Sequence, residues 1–148
     1  DEDIFSRNFL YHQPRKKVYP FLISFISTNF RRKIDFRQFS GAGATWQIWR
    51  GKNGQTIKTA LSGVYETSNF SVNQFNETRF NNTDRIATWR ATAWLFGRHS
   101  LLSKTLVFHY DAYFQPSLED SENIRWQVEA GLDLPLRKGW AFAVNWVY

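Results

Sequence analysis

At 148 residues the chain is one domain's worth of polypeptide, and its net charge of +6 and pI near 9.8 suit an anionic partner such as a lipid headgroup surface or nucleic acid. The absence of cysteine excludes disulfides and thiolate metal sites; methionine is also absent, so the sequence is expected to be a mature chain after signal removal or a piece of a longer one. Aromatic residues make up 18% of the chain while mean hydropathy is only −0.48, and no run of about 18 apolar residues offers a transmembrane helix.

Period-two alternation dominates throughout, and helical periodicity is weak. Eight strands are predicted, at about 3–12, 17–30, 34–50, 56–67, 84–96, 101–114, 123–136 and 140–148. The breakers Pro14, Gly51 with Gly54, Gly97 and Gly139 fall between them. The first strand is the least regular. In the second, Phe21, Ile23 and Phe25 alternate with Ser24, although Leu22 and Ile26 interrupt the pattern. The third sets Ala42, Ala44, Trp46 and Ile48 against Asp35, Arg37, Gly41, Gly43, Thr45 and Gln47. The fourth is ambiguous in its facing. Segment 68–83 is polar and carries Asn-x-Ser/Thr triplets at Asn69, Asn76 and Asn81, which read as a solvated loop rather than as glycosylation sites.

In the fifth strand, Ala87, Trp89, Ala91, Ala93 and Leu95 oppose Thr88, Arg90 and Thr92. In the sixth, Leu106, Phe108, Tyr110, Ala112 and Phe114 oppose Ser103, Thr105, His109 and Asp111. The seventh is the clearest: seven apolar residues from Ile124 to Leu136 face away from Arg125, Gln127, Glu129, Gly131 and Asp133. Arg137-Lys138-Gly139 forms a tight turn into Trp140, Phe142, Val144, Trp146 and Tyr148.

Most of these strands exceed the soluble mode of about 5–6 residues and match the roughly 9–11 that a tilted strand needs to cross a bilayer. The fold class expected is therefore all-β: an antiparallel, up-and-down transmembrane β-barrel, forming a single domain over 1–148. Three features favour the membrane version over a soluble barrel with its faces reversed. Bulky rings at Trp46, Trp126, Trp140, Trp146 and Tyr148 suit an interfacial aromatic girdle. Glycines on the polar faces suit a crowded lumen. Charges of both signs on those faces, namely Asp35, Arg37, Arg90, His109, Asp111, Arg125, Glu129 and Asp133, suit a buried ionic network. Within it, Arg37, Arg90 and Arg125 are expected to pair with Asp35, Asp111, Glu129 and Asp133.

The segments Arg32-Lys33-Ile34-Asp35-Phe36-Arg37, Gly41-Ala42-Gly43, Tyr65-Glu66, Gln115-Pro116-Ser117-Leu118, Arg125-Trp126 and Leu132-Asp133-Leu134-Pro135-Leu136 resemble the bacterial barrel family described as salt-induced outer-membrane proteins, domain of unknown function 481. The resemblance covers about residues 20–148. It implies a β-barrel in the outer membrane of a Gram-negative bacterium and no established catalytic residues. Family members usually continue past the last strand. With long connections expected at 68–83 and 115–122, on one side, this makes the eight strands part of a barrel of about ten.

No nucleophile elbow, phosphate loop or zinc-protease helix is present. His109 and Asp111 share a strand face with Ser103, but a triad laid along one strand has poor geometry. The cluster reads as hydrogen bonding within the lumen. Basic clusters at Arg15-Lys16-Lys17, Arg31-Arg32-Lys33 and Arg137-Lys138 fall in connections, where they would meet phosphates of lipids or lipopolysaccharide rather than nucleic acid. The expectation is a structural or accessory outer-membrane protein with a side-chain-filled lumen. It has no catalytic, metal or cofactor site, and its partners are membrane lipids and other outer-membrane proteins. The alternatives are a soluble β-barrel that binds a lipid or other apolar ligand, and an outer-membrane enzyme with a site near His109.

Overall fold

The structure, a computed structural model, describes residues 3–31, 33–72, 84–101, 106–136 and 141–148. The expected girdle residue Trp140, the turn 137–139, Ser103, Asn76 and Asn81 lie outside the described residues.

Alternating side chains produce one antiparallel sheet of eight strands in which every strand pairs with its neighbour in sequence. The strands are β1 (Phe5–Tyr11), β2 (Val18–Asn29), β3 (Ile34–Arg50), β4 (Thr56–Phe70), β5 (Arg85–Leu101), β6 (Leu106–Pro116), β7 (Ile124–Pro135) and β8 (Ala141–Val147). Among the described residues no pairing joins β1 to β8, so both are edges of the sheet. Among the described residues no helix is long and apolar enough to cross a membrane, which says nothing about crossing by strands.

Two sequence expectations are corrected here. Gly97 was expected to end a strand, but it lies inside β5, opposite Tyr110 of β6 and Ile57 of β4. A Cβ at Gly97 would meet the Tyr110 ring, which covers the position where a side chain is missing. β5 therefore runs 17 residues instead of stopping early. Second, a membrane barrel was expected to turn its regular apolar rows outward, but β2 turns Tyr19, Phe21 and Ile23 inward, where they are buried, and leaves Leu22 and Ile26 exposed.

The sheet curls strongly. Phe9 of β1 reaches Trp94 of β5, four strands away, with ring centroids 5.8 Å apart. Arg125 of β7 reaches Glu66 of β4, three strands away. The concave side holds a small apolar cluster of Phe21, Ile23, Ala60 and Val64, flanked by Phe9, Phe39, Trp94 and Phe96. The convex side is apolar and bare: Leu61 is 66% exposed, Trp126 54% and Trp46 51%. Isolated exposed apolar residues are ordinary on soluble proteins, but here two or more stand on each of β2, β3, β4, β5 and β7.

Register shifts mark both ends of the pairing between β3 and β4, where irregular pairing bends and twists a strand. Inward-facing Gly41 and Gly43 let backbones approach there. A Cβ at Gly41 would fall on the Gly63 carbonyl oxygen and come within 2.7 Å of Val64 Cα. Gly41→Val is expected to destabilise the fold by about 1–3 kcal/mol through overpacking, read as a lower urea midpoint. An unchanged midpoint would mean that the sheet yields there without cost.

Candidate functional site

Glu66 is the centre of the concave face. Even-numbered positions of β4 from Ala60 to Ser68 point inward, which carries Glu66 into the interior with no exposed side-chain surface. Three strands deliver arginines to it. Arg37 of β3 brings Nε to 3.2 Å from Oε1, Arg90 of β5 brings Nε to 2.6 Å from Oε2, and Arg125 of β7 donates in bidentate fashion at 2.6 and 2.7 Å. Ser68 adds a hydroxyl donor at 2.7 Å. A carboxylate has about four acceptor positions, so Glu66 is saturated. Arg90 is equally well satisfied: it donates to Asn123 Oδ1 at 2.8 Å and to the Asn123 carbonyl at 3.2 Å. No buried side-chain polar atom among the described residues lacks a partner.

The three arginines expected to cluster do come together, but on a different partner. Glu66 takes the role assigned to Asp35, Asp111, Glu129 and Asp133. Asp35 sits exposed at the start of β3, where the Ser71 hydroxyl donates to it. Asp111 accepts from the Trp94 indole at 2.5 Å. Gln127 donates to Glu129. Asp133 lies 3.5 Å from His109 Nδ1, while His109 Nε2 faces Asn145 Oδ1 at 3.1 Å, so both ring nitrogens are engaged. For the carboxylates of β6 and β7 the reason is distance along the strand. Arg125 and Asp133 are eight residues apart on β7, roughly 26 Å at about 3.3 Å per residue. The concave face is thus divided, with the arginines towards one end and Asp111, Glu129 and Asp133 towards the other.

A family profile described as "Protein of unknown function, DUF481" matches residues 9–148. The chain belongs to that family. Neither a curated protein nor a solved structure matches it. Glu66 and its three arginines all fall within the span that this DUF481 chain shares with its family. Glu66 was missing from the expected network because β4 carries apolar residues on both faces, Ala60 and Val64 inward and Leu61 outward. One signal was present: three arginines on polar faces require a carboxylate, and Glu66 is the only acidic residue of β4.

The expected girdle residues of the DUF481 chain, Trp46, Trp126, Trp146 and Tyr148, all lie exposed, with Trp126 and Tyr148 in ring contact at 5.2 Å. The structure adds two outward clusters that the sequence did not single out. Tyr65 and Trp89 face each other across β4 and β5 at 5.1 Å. Towards the other end, His99 stacks between Trp49 and Tyr110 at 6.0 and 5.7 Å. Among the described residues no group of three His, Asp or Glu is placed to hold a metal ion.

Proposed function

We propose that the chain is a bacterial outer-membrane β-barrel protein with a structural or accessory role, a side-chain-filled lumen and no enzymatic activity. The observation that carries this reading is the outward face of β5. Between Trp89 and His99, each in an aromatic cluster, that face holds only Ala91, Ala93, Leu95 and Gly97. Ten residues of strand span roughly 33 Å, and a tilt of about 40° reduces this to about 25 Å, the height of the apolar band between the two aromatic girdles of such barrels. The division of faces adds support: the convex side is bare and apolar, while the concave side holds the ion pairs.

Open sheet edges do not survive in hydrocarbon, because unpaired backbone groups there cost several kcal/mol each. The proposed membrane form therefore gives the β1 and β8 edges further strands as partners, in a barrel of about ten strands. Lipids are the primary partners, and basic groups in the connections, such as Arg15, Lys16 and Lys17, meet headgroup or lipopolysaccharide phosphates.

Fractionation tests the reading. The protein is expected in the outer-membrane fraction and to need detergent for solubility. In planar bilayers it should carry negligible current, because Arg90, Glu66 and the aromatic cluster occupy the interior. A water-soluble monomer would sink the membrane assignment, and a large stable current would sink the filled lumen.

A further inference from the structure

We propose that the end of the sheet bearing the β1–β2 and β3–β4 turns binds anionic phospholipid headgroups, and that the opposite end does not. This rests on the membrane reading and narrows its anionic partner to one end and one class of lipid.

The up-and-down order of the strands sends alternate connections to opposite ends of the sheet. At the first end stand Arg15, Lys16 and Lys17 in the β1–β2 turn, with Arg50 and Lys52 where β3 passes into β4. All five are exposed, and none has a side-chain hydrogen bond, ion pair or ring contact with the described residues. Neither turn contains an Asp or Glu. Arg98, near the same end, shares a depression of the concave face with Asp111 and Glu129, which oppose its charge there. Asp133, also on the concave face, is turned to His109. The other end has the reverse balance. Its described connections and adjoining strand ends carry Asp3, Asp35, Asp84, Glu119, Asp120 and Glu122 against Arg31, Lys33 and Arg85, while Arg125 beside them is spent on Glu66. The two ends therefore differ in the sign of their charge.

Depth points to a lipid. Each basic turn stands directly beyond large outward rings. Trp49 immediately precedes Arg50 and stacks on His99 at 6.0 Å. Val18, which follows Lys17, is paired with Trp46, and both are exposed. Rings of this kind settle at the headgroup level, with one edge apolar and the other wet. A residue adds about 3.3 Å along a strand, so Lys17 and Arg50 start within one or two residues of the ring layer, and their long stems carry the charge on to phosphate depth. A cation held there favours a net-negative headgroup by about fivefold, whereas the ammonium of a zwitterionic headgroup offsets the gain. The longest connections, β4 to β5 and β6 to β7, belong to the other end. In outer-membrane barrels the shorter turns face the periplasm, so the leaflet met by the basic end is phospholipid rather than lipopolysaccharide.

The chain has no cysteine, so one introduced thiol takes one label. Val18→Cys reports on the basic end and Phe30→Cys on the other, and both positions are exposed. Each variant, labelled with a bimane fluorophore, is reconstituted in phosphatidylcholine vesicles holding a small fraction of nitroxide-labelled phosphatidylglycerol or nitroxide-labelled phosphatidylcholine. At position 18 the phosphatidylglycerol should quench about fivefold more effectively, and at position 30 the two lipids should agree within about twofold. Changing Arg15→Gln, Lys16→Gln and Lys17→Gln together should bring position 18 within about twofold as well, and so should about 1 M NaCl, which shortens the screening length to about 3 Å. Inorganic phosphate at equal ionic strength should leave the preference intact. The proposal is overturned if the two lipids quench alike at position 18, if position 30 shows the same preference, if the preference survives the neutralised turn, or if phosphate abolishes it. Protein that inserts without any lipid preference would lose this inference and keep the membrane reading. A water-soluble protein that floats with phosphatidylglycerol vesicles only while Arg15, Lys16 and Lys17 are present would remove the spanning assignment and leave the preference of this end standing.

Discussion

Replacing Glu66 with glutamine is expected to cost about 3–5 kcal/mol of stability, the usual result of removing one member of a buried ion cluster. The change is nearly isosteric, so the loss is electrostatic. It leaves Arg37, Arg90 and Arg125 converging on a neutral amide, with Arg90 sealed from water. Urea unfolding in detergent or lipid reads the effect directly. Adding Arg90→Met to Glu66→Gln should recover part of the loss, because it removes the cation that water cannot reach. Such neighbours couple by about 0.5–3 kcal/mol. A single-variant loss below about 1 kcal/mol would mean that water screens the cluster.

The second large effect is on the opposite face. Ala93→Arg places a cation between the Tyr65–Trp89 and Trp49–His99 clusters, next to exposed Leu61 across the β4–β5 pairing. Facing lipid near mid-bilayer, it should cost about 2–4 kcal/mol and impair insertion. Facing water, an exposed substitution stays within about 0.5 kcal/mol. Comparing Ala93→Arg with Thr67→Arg, farther along the outward row of β4, separates depth from charge alone. Equal, small effects at both positions would count against lipid contact.

Strand order and most facings were legible in the sequence because side-chain alternation is a local signal. β7 shows why: its two faces differ at almost every position, so nothing distant is needed to read them. β2 and β4 defeat the same reading. Both carry apolar residues inward and outward, since the interior is partly a hydrophobic plug and partly an ionic one. Phe21 inward and Leu22 outward are equally apolar, and only the curl of the sheet tells them apart. The partner of the arginines was hidden for a related reason. Which carboxylate meets Arg125 depends on cross-sheet register between β4 and β7, and no spacing along the chain records it.

The Glu66 cluster also bears on how the chain assembles. Glu66 and Arg125 are separated by 59 positions, so their bidentate contact forms only after three later strands have been laid down. The carboxylate is not left exposed to that wait. Arg37 arrives from the preceding strand and Arg90 from the following one, each through a hairpin with β4 itself. An intermediate that contained β3, β4 and β5 would thus carry its anion already compensated, with Arg125 the last of the three arginines to join it. Growth in that order, with neighbouring pairings first and cross-sheet contacts such as Glu66–Arg125 and Phe9–Trp94 later, would keep loop-closure entropy low until most of the surface is in place.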